Sequence, residues 1–339
     1  MSAEFINPDP GQGMAHSPSI CELADGSLAA VWYAGSREGA RDVVLYLSLR
    51  APGEGALWSE PKVVVDSASA SKELHRFIKK LGNPIIFADS QDRLWLIYVS
   101  VSVGGWSGSS LNLKISNDGG LTWTPSQRLT LSPFLNISEL VRNNPIPLRN
   151  GGFAIPVYHE SFGKFPEMLW VQAGPEGRGI SWRKTRMAGG RSFIQPSVVP
   201  LDSHSALVFY RNCSRERTVG MAATGDTGVN WSEPSFIQIP NPNSGLNALP
   251  LSKGEILLAF NDSKHNRENL RLAVSRDGGA KWMRIATIED SKGEKFSYPY
   301  MIRSRNGMIH LVYAWRKKRI KHVVINEAWI KVQEERASK

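Results

Sequence analysis

Apolar runs of strand length alternate along the whole chain with short polar turns, and the alternation repeats six times. The turns are Leu23-Ala-Asp-Gly-Ser-Leu28, Ala88-Asp-Ser-Gln-Asp-Arg-Leu94, Arg149-Asn-Gly-Gly-Phe153, Leu201-Asp-Ser-His-Ser-Ala206, Leu251-Ser-Lys-Gly-Glu-Ile256 and Ser304-Arg-Asn-Gly-Met308. Each reads as a hairpin joining two strands. The run entering each turn opens on a polar residue, usually followed by proline: Ser17-Pro18, Asn83-Pro84, Asn144-Pro145, Gln195-Pro196, Asn247-Ala248 and Tyr298-Pro299. Proline is tolerated at the first residue of a strand, so these pairs predict where the first strand of each unit begins.

A third series runs through the same units. Ser116-Asn-Asp-Gly-Gly-Leu-Thr-Trp123, Thr224-Gly-Asp-Thr-Gly-Val-Asn-Trp231 and Ser275-Arg-Asp-Gly-Gly-Ala-Lys-Trp282 share one form. In it Asp accepts backbone N–H bonds within a tight turn, Gly supplies positive φ, and Trp packs back between sheets. Weaker copies end at Trp58, Trp182 and Trp329, so the tryptophans recur about every fifty residues. Four strands per unit, six times over, predict an all-β fold: a six-bladed β-propeller of four-stranded antiparallel blades over residues 16–330. Residues 1–15 are expected as an extension that crosses to the last blade and closes the ring, because an uncovered strand edge is a liability. Residues 331–339 are expected as a charged, frayed tail.

Strand direction sorts the loops. If each first strand starts at the top, the hairpins and the Asp-containing turns lie at the bottom, and the chemically richer connections lie on top. The first-strand starts, His16/Ser17, Asn83, Asn143/Asn144, Gln195, Asn247 and Tyr298, then ring the axis and suggest a hydrophilic ligand. Arg211 and Arg267 stand above that ring, with Arg37 and Arg142 able to join them; guanidinium forks aimed at one point suit a carboxylate. Glu38, His16, His159 and Glu160 are the acid–base candidates, with Glu38 the better proton donor and Asp42 serving its turn. Trp106, after two glycines, offers either a stacking face for a sugar or a packed wedge.

Composition narrows the partners. The 339 residues carry 41 Lys and Arg against 31 Asp and Glu. The one basic block, Arg316-Lys317-Lys318-Arg319 with Lys321, comes without any nucleic-acid module pattern, so it reads as a solvated loop and the expected partner is an acidic sugar rather than nucleic acid. No apolar run reaches the roughly 18 residues that cross a bilayer, and the polar start lacks a signal core. A cytoplasmic protein with no membrane partner is therefore expected. Two cysteines, Cys21 and Cys213, make neither a disulfide scaffold nor a zinc spacing, and the sequence shows no metal-ligand cluster and implies no cofactor.

At this point the chain resembles the sialidase, or neuraminidase, superfamily, whose Asp-box repeats look like the three octapeptides. It is similar in particular to the bacterial BNR-repeat branch through Lys80-Leu-Gly-Asn-Pro84, Gly104-Gly-Trp106, Ser132-Pro-Phe-Leu-Asn-Ile-Ser138, Val157-Tyr-His-Glu160 and Phe296-Ser-Tyr-Pro299. The resemblance implies a tyrosine nucleophile at Tyr298 and the second and third carboxylate-binding arginines at Arg211 and Arg267; the placement of strands and top loops adds substrate contacts expected from Arg37, Asn83, Trp106, Arg142, His159, Glu160 and Gln195. Such tyrosines are a known departure from the two-carboxylate scheme of glycoside hydrolysis. Three features differ from the family pattern, one being that no unambiguous Asp occupies the acid/base loop, which leaves Glu38 as the nearest carboxyl. His16-Ser17-Pro18 stands where the family has Arg-Ile-Pro, and Gln195, which cannot take a proton, stands where it has the glutamate that activates tyrosine.

Three readings follow: an exo-acting hydrolase of sialidase type with Tyr298 as nucleophile and Glu38 as acid; a uronate lyase or other glycosidase using His16 or His159 with Tyr298; and a non-catalytic glycan-binding propeller. One fold hosts many functions, so the choice belongs to the site. The sugar, its linkage and the oligomeric state are left open.

Overall fold

The computed structural model describes residues 1–8, 13–132, 135–172, 174, 179–188 and 190–338. The segment Ser132–Ser138 and the extension 1–15 lie partly outside them. Six antiparallel sheets form the blades of a propeller. Blade 1 runs through Met14–Glu22, Leu28–Gly35, Val44–Arg50 and Lys62–Val65, and blade 2 through Lys80–Ala88, Leu94–Val101, Ser109–Ser116 and Gln127–Arg128. Blade 3 has a divided first strand, Glu139–Val141 and Ile146–Pro147, followed by Phe153–His159, Phe165–Gln172 and Ser181–Arg186. Blade 4 contains Phe193–Pro200, Ala206–Asn212, Thr218–Thr224 and Ser235–Pro240, and blade 5 contains Asn247–Pro250, Ile256–Phe260, Asn269–Ser275 and Met283–Asp290. Blade 6 takes Phe296–Arg303, Ile309–Trp315 and Arg319–Ile325 from the end of the chain and its outermost strand, Ser2–Phe5, from the beginning. Among the described residues no helix is long and apolar enough to cross a membrane.

The Asp-containing turns do structural work at the bottom. Asp118 Oδ1 accepts from the Ser116 hydroxyl at 2.7 Å and the Thr122 amide at 2.9 Å, and the Gly120 amide donates to Ser116 Oγ at 2.8 Å. The same bonds recur around Asp226 and Asp277. Gly120 has φ 94, and a Cβ there would stand 2.9 Å from Leu47 of the preceding blade. A glycine is needed both for the turn and for the close approach between blades.

Three expectations change. Four of the six pairs sit inside their first strands at a β-bulge, not at the starts; Asn144-Pro145 falls in the break of the divided blade 3 strand, and Asn247-Ala248 opens its strand as expected. The register shifts between His16/Ser19, Gly82/Ile85, Ile194/Ser197 and Ser297/Tyr300, and Ser17, Asn83, Gln195 and Tyr298 all have positive φ. A bulge also leaves proline without a ladder bond to miss, which is why sequence alone reads it as a strand start. Trp182 lies within a strand, and Trp329 lies in a helix, Glu327–Ala337, that covers most of the expected frayed tail. Asn326 caps that helix by accepting from the Trp329 amide at 2.8 Å, and Ile330 is buried beneath it.

Ring closure carries a proton-sensitive latch. Glu4 Oε1 accepts from Trp58 Nε1 at 3.2 Å and lies 3.1 Å from His322 Nδ1 and 3.5 Å from Arg50 Nε. His322 Nε2 lies 2.9 Å from His310 Nδ1, whose other nitrogen reaches Ser304 Oγ at 3.1 Å. The hydrogen bond from His322 holds Glu4 below its ordinary value; burial lowers both histidines, His310 to about 3. Depressed values mean stability that is present above the unfolded-state value and lost as pH falls, first through the neutral histidines and then through Glu4. The melting temperature is therefore expected to decline as pH drops below about 6.5. Thermal unfolding between neutral and mildly acidic buffers checks this, and a flat profile would refute the latch.

Candidate functional site

The break in the first strand of blade 3 sends Arg142-Asn143-Asn144 across the axis, where the segment bonds to three other blades. Arg142 Nη2 donates to the carbonyls of Tyr298 at 2.5 Å and Pro299 at 3.2 Å. Asn143 Nδ2 donates to the carbonyls of Gln195 at 2.9 Å and Pro196 at 3.0 Å, and Asn144 Nδ2 to that of Met301 at 2.8 Å. Asn247 Nδ2 donates to Asn144 Oδ1 at 2.7 Å and Asn143 Oδ1 at 3.2 Å. The expected polar ring is present, and much of it is spent on holding blades together across the axis.

On this floor stands Tyr298, 9% exposed and aimed by the bulge. His16 meets its ring edge-on at 4.6 Å, and the guanidinium groups of Arg142 and Arg267 lie 5.2 and 5.8 Å from its centroid. Arg211 Nη1 donates to the phenol oxygen at 3.5 Å and to Gln195 Oε1 at 3.3 Å, while its Nε donates to Asn243 Oδ1 at 2.8 Å. Arg267 Nη2 donates to the Asn243 carbonyl at 2.7 Å. Among the described residues, none of these three arginines has a carboxylate partner. Burial pushes the Tyr298 phenol up, but the charges of Arg211 and Arg267 outweigh it and leave the group below its ordinary value. Burial and then the surrounding Lys317, Arg267, Arg142 and Arg211 charges hold His16 neutral, and burial lowers Arg142 to about 10.

Other residues named from the sequence are placed differently. Arg142, 1% exposed, lies beneath the ring and fixes the Tyr298 backbone; it does not face a ligand. His16 is likewise fully buried, packed against Tyr298 and Tyr33, with Nδ1 unpartnered. Asn83 donates to the Tyr158 hydroxyl at 3.2 Å, as does Gln195 at the same distance. His159 stacks on Phe165 at 4.7 Å and belongs to blade 3, because it pairs with Glu139 in the ladder and points along the sheet. Glu160 stays at the rim, where its charge acts on Tyr158 and Cys213. Glu38 is exposed, 3.4 Å from Lys317, and its charge reaches Tyr298 and Arg267. Arg37 is exposed in the same loop, and Asp42 serves the loop by accepting from the Ser36 amide and hydroxyl at 2.8 and 2.9 Å. Trp106 rests on Gly82, where any Cβ would stand 2.6 Å from the indole, so it is a packed wedge.

Sequence reasoning passed over Tyr158, Asn243 and Gly245. Their signals were slight: an aromatic among strand residues and an Asn-Ser-Gly run that reads as an ordinary turn. It also passed over the group of Glu139, His159 and Glu167, whose ligand atoms lie within 4.8 Å of one another. There the Lys184 ammonium already pairs with both carboxylates. A Cβ at Gly245 would stand 2.9 Å from Tyr298 Cδ1 and 3.1 Å from Gln195 Oε1. Gly245→Val is therefore expected to displace the tyrosine ring while the protein stays folded. A changed near-ultraviolet circular dichroism spectrum beside an unchanged far-ultraviolet one checks both halves.

A family model described as a BNR repeat-like domain matches residues 26–311. No curated protein matches in sequence. Among solved structures, the Hadza microbial sialidase Hz136 superposes with a TM-score of 0.78 at 14% identity, covering 96% of this chain and 69% of that one. A protein of unknown function from Dyadobacter fermentans gives 0.75 at 12%, covering 96% and 97%. The intramolecular trans-sialidase from Ruminococcus gnavus, in complex with oseltamivir carboxylate, gives 0.73 at 14%, covering 96% and 97%. At these identities the likeness shows the fold.

Proposed function

The chain belongs to the BNR repeat-like domain family and shares its fold with sialidases, and from that premise we propose that it is a glycoside hydrolase that releases a terminal acidic sugar, sialic acid or a relative, with Tyr298 as nucleophile. The observation that carries this reading is the convergence of Arg211, Arg267 and Arg142 on one tyrosine without a carboxylate among the described residues to pair with them. Buried cations left unpaired are costly, and a ligand carboxylate that bridges Arg211 and Arg267 relieves that cost on binding.

The sugar carboxylate docks on those two arginines, which brings the anomeric carbon to the Tyr298 oxygen. The C–O bond to the aglycone breaks as the phenol oxygen bonds to carbon, and Glu38 protonates the departing oxygen. Water then attacks the glycosyl-tyrosine, losing its proton to Glu38, and the configuration is retained. Gln195 cannot receive the phenol proton, so the arginines take over part of the activation by favouring the phenolate. Elimination from a uronate, in the arrangement read from the sequence, has a histidine share the base and acid roles with Tyr298. His159 stacked on Phe165 and His16 buried under four cations fit that role poorly, which favours hydrolysis.

A fluorogenic sialoside tests the proposal. Release of the fluorophore, with the α-anomer of the free sugar seen first by NMR, is the expected result; a folded protein that binds sialic acid without turnover would leave only the lectin reading.

A further inference from the structure

Charge is divided between the two faces of the propeller. The loops that open around the pocket (6–13, 36–43, 66–79, 102–108, 129–138, 160–164, 187–192, 213–217, 241–246, 261–268, 291–295 and 316–318) carry sixteen Lys and Arg against nine Asp and Glu among the described residues. The loops of the opposite face carry six against eleven. Six of the eleven acids of that face serve their own turns, since Asp25, Asp89, Asp118, Asp202, Asp226 and Asp277 each accept bonds from their own loop. No comparable need for bases exists in the top loops.

The blade 6 turn is the sharpest case. Arg316 and Lys317 both have positive φ, 54 and 58, in a tight hairpin where Asn-Gly is the ordinary choice. The Lys317 carbonyl accepts from the Ala15 amide at 2.9 Å, which fastens the turn beside His16, and the Lys317 charge is felt at that histidine. Two long cations held in a backbone conformation that suits neither point to a use for the side chains. Arg316 and Lys317 each have one acidic neighbour at 3.4 Å, Glu294 and Glu38. Lys318, Arg37, Arg41 and Lys264 are exposed with no ion pair among the described residues.

We propose that the top face is a binding surface for polyanionic glycan, so that the acidic sugar in the axial pocket is the end of a chain whose next sugars also carry negative charge. This rests on the pocket reading above for the terminal sugar alone. One acidic sugar is held by the Arg211–Arg267 clamp itself, whereas a chain that leaves the pocket across the exposed Arg41 and Lys318 adds an attraction with each unit. The net positive face also steers such chains toward the pocket.

The test uses the full chain with Tyr298→Phe, which prevents turnover, and follows binding of α2,8-linked oligosialic acids and of oligogalacturonates of increasing length by calorimetry at low and high salt. The expected result is affinity that rises by about tenfold or more from monomer to tetramer in one of the two series and falls steeply with salt. Arg41→Glu with Lys318→Glu is expected to abolish the length dependence and leave monomer affinity unchanged, while Lys281→Glu on the opposite face changes neither. Affinity independent of length in both series, or equal binding to single-stranded DNA of the same charge, would overturn the proposal. Tetramer binding without any monomer binding would sink the pocket reading and leave the surface standing, so the two failures are distinct.

Discussion

Tyr298→Phe is expected to reduce hydrolysis of a sialoside by about a thousandfold or more, with substrate affinity changed only a few fold. The substitution removes one oxygen and keeps the ring, so the edge contact with His16, the cations above and below, and the backbone bonds from Arg142 all persist. Among the described residues, what disappears is the contact of the phenol oxygen with the guanidinium groups of Arg211, at 3.5 Å, and Arg267. A loss confined to kcat therefore assigns the oxygen to bond formation. A matched loss in KM would assign it to binding instead. Intact-mass measurement of rapidly quenched protein supplies the second readout: a glycosyl adduct in the parent and none in the variant.

The blade pattern was legible because it rests on turn chemistry, which is local. Asp118, Asp226 and Asp277 bond within a few residues of themselves, so their spacing alone betrays the repeat. Once the units were known, Arg211, Arg267 and Tyr298 could be placed by unit and strand, at the end of the second strand of blade 4, in the loop before the third strand of blade 5 and in the first strand of blade 6. What escaped depends on contacts between blades. Nothing local marks Arg142 as lying under Tyr298 instead of above it; that follows from the divided strand of blade 3, which bonds to residues 156 and 157 positions away. Gly245 is invisible until the Tyr298 ring is placed against it. The bulges were misread as strand starts because polar-Pro has the same sequence signature in both settings.

Two of the departures from the family pattern belong together. Where the resemblance leads one to expect an arginine and a glutamate at the axis, this chain has His16 and Gln195; His16 is neutral and Gln195 is uncharged, so a cation and an anion are lost as a pair. The pocket keeps its charge balance while losing its proton acceptor. The remaining route to a reactive phenol is electrostatic.

Arg211→Met tests that route and is expected to have the second largest effect. Arg211 is the first of the charges that hold Tyr298 below its ordinary value, and without it burial prevails and the phenol moves up. The side chain also forms half of the carboxylate clamp and bonds to Gln195 and Asn243. Truncating one partner of a buried charge contact costs about 2–5 kcal/mol, so kcat/KM is expected to fall by about two to three orders of magnitude. The pH profile separates the two roles. In the parent, activity rises with pH toward the depressed phenol value, because ionisation generates the nucleophile; in Arg211→Met the rising limb moves to higher pH. Arg211→Lys restores a charge without the fork, so it is expected to recover the position of that limb and not the affinity. Ultraviolet difference titration gives the same answer without substrate: one tyrosine ionises early in the parent and is missing in both Tyr298→Phe and Arg211→Met. A limb that stays in place when Arg211 is removed would return the activating role to a base near Tyr298, with Glu38 the first to test.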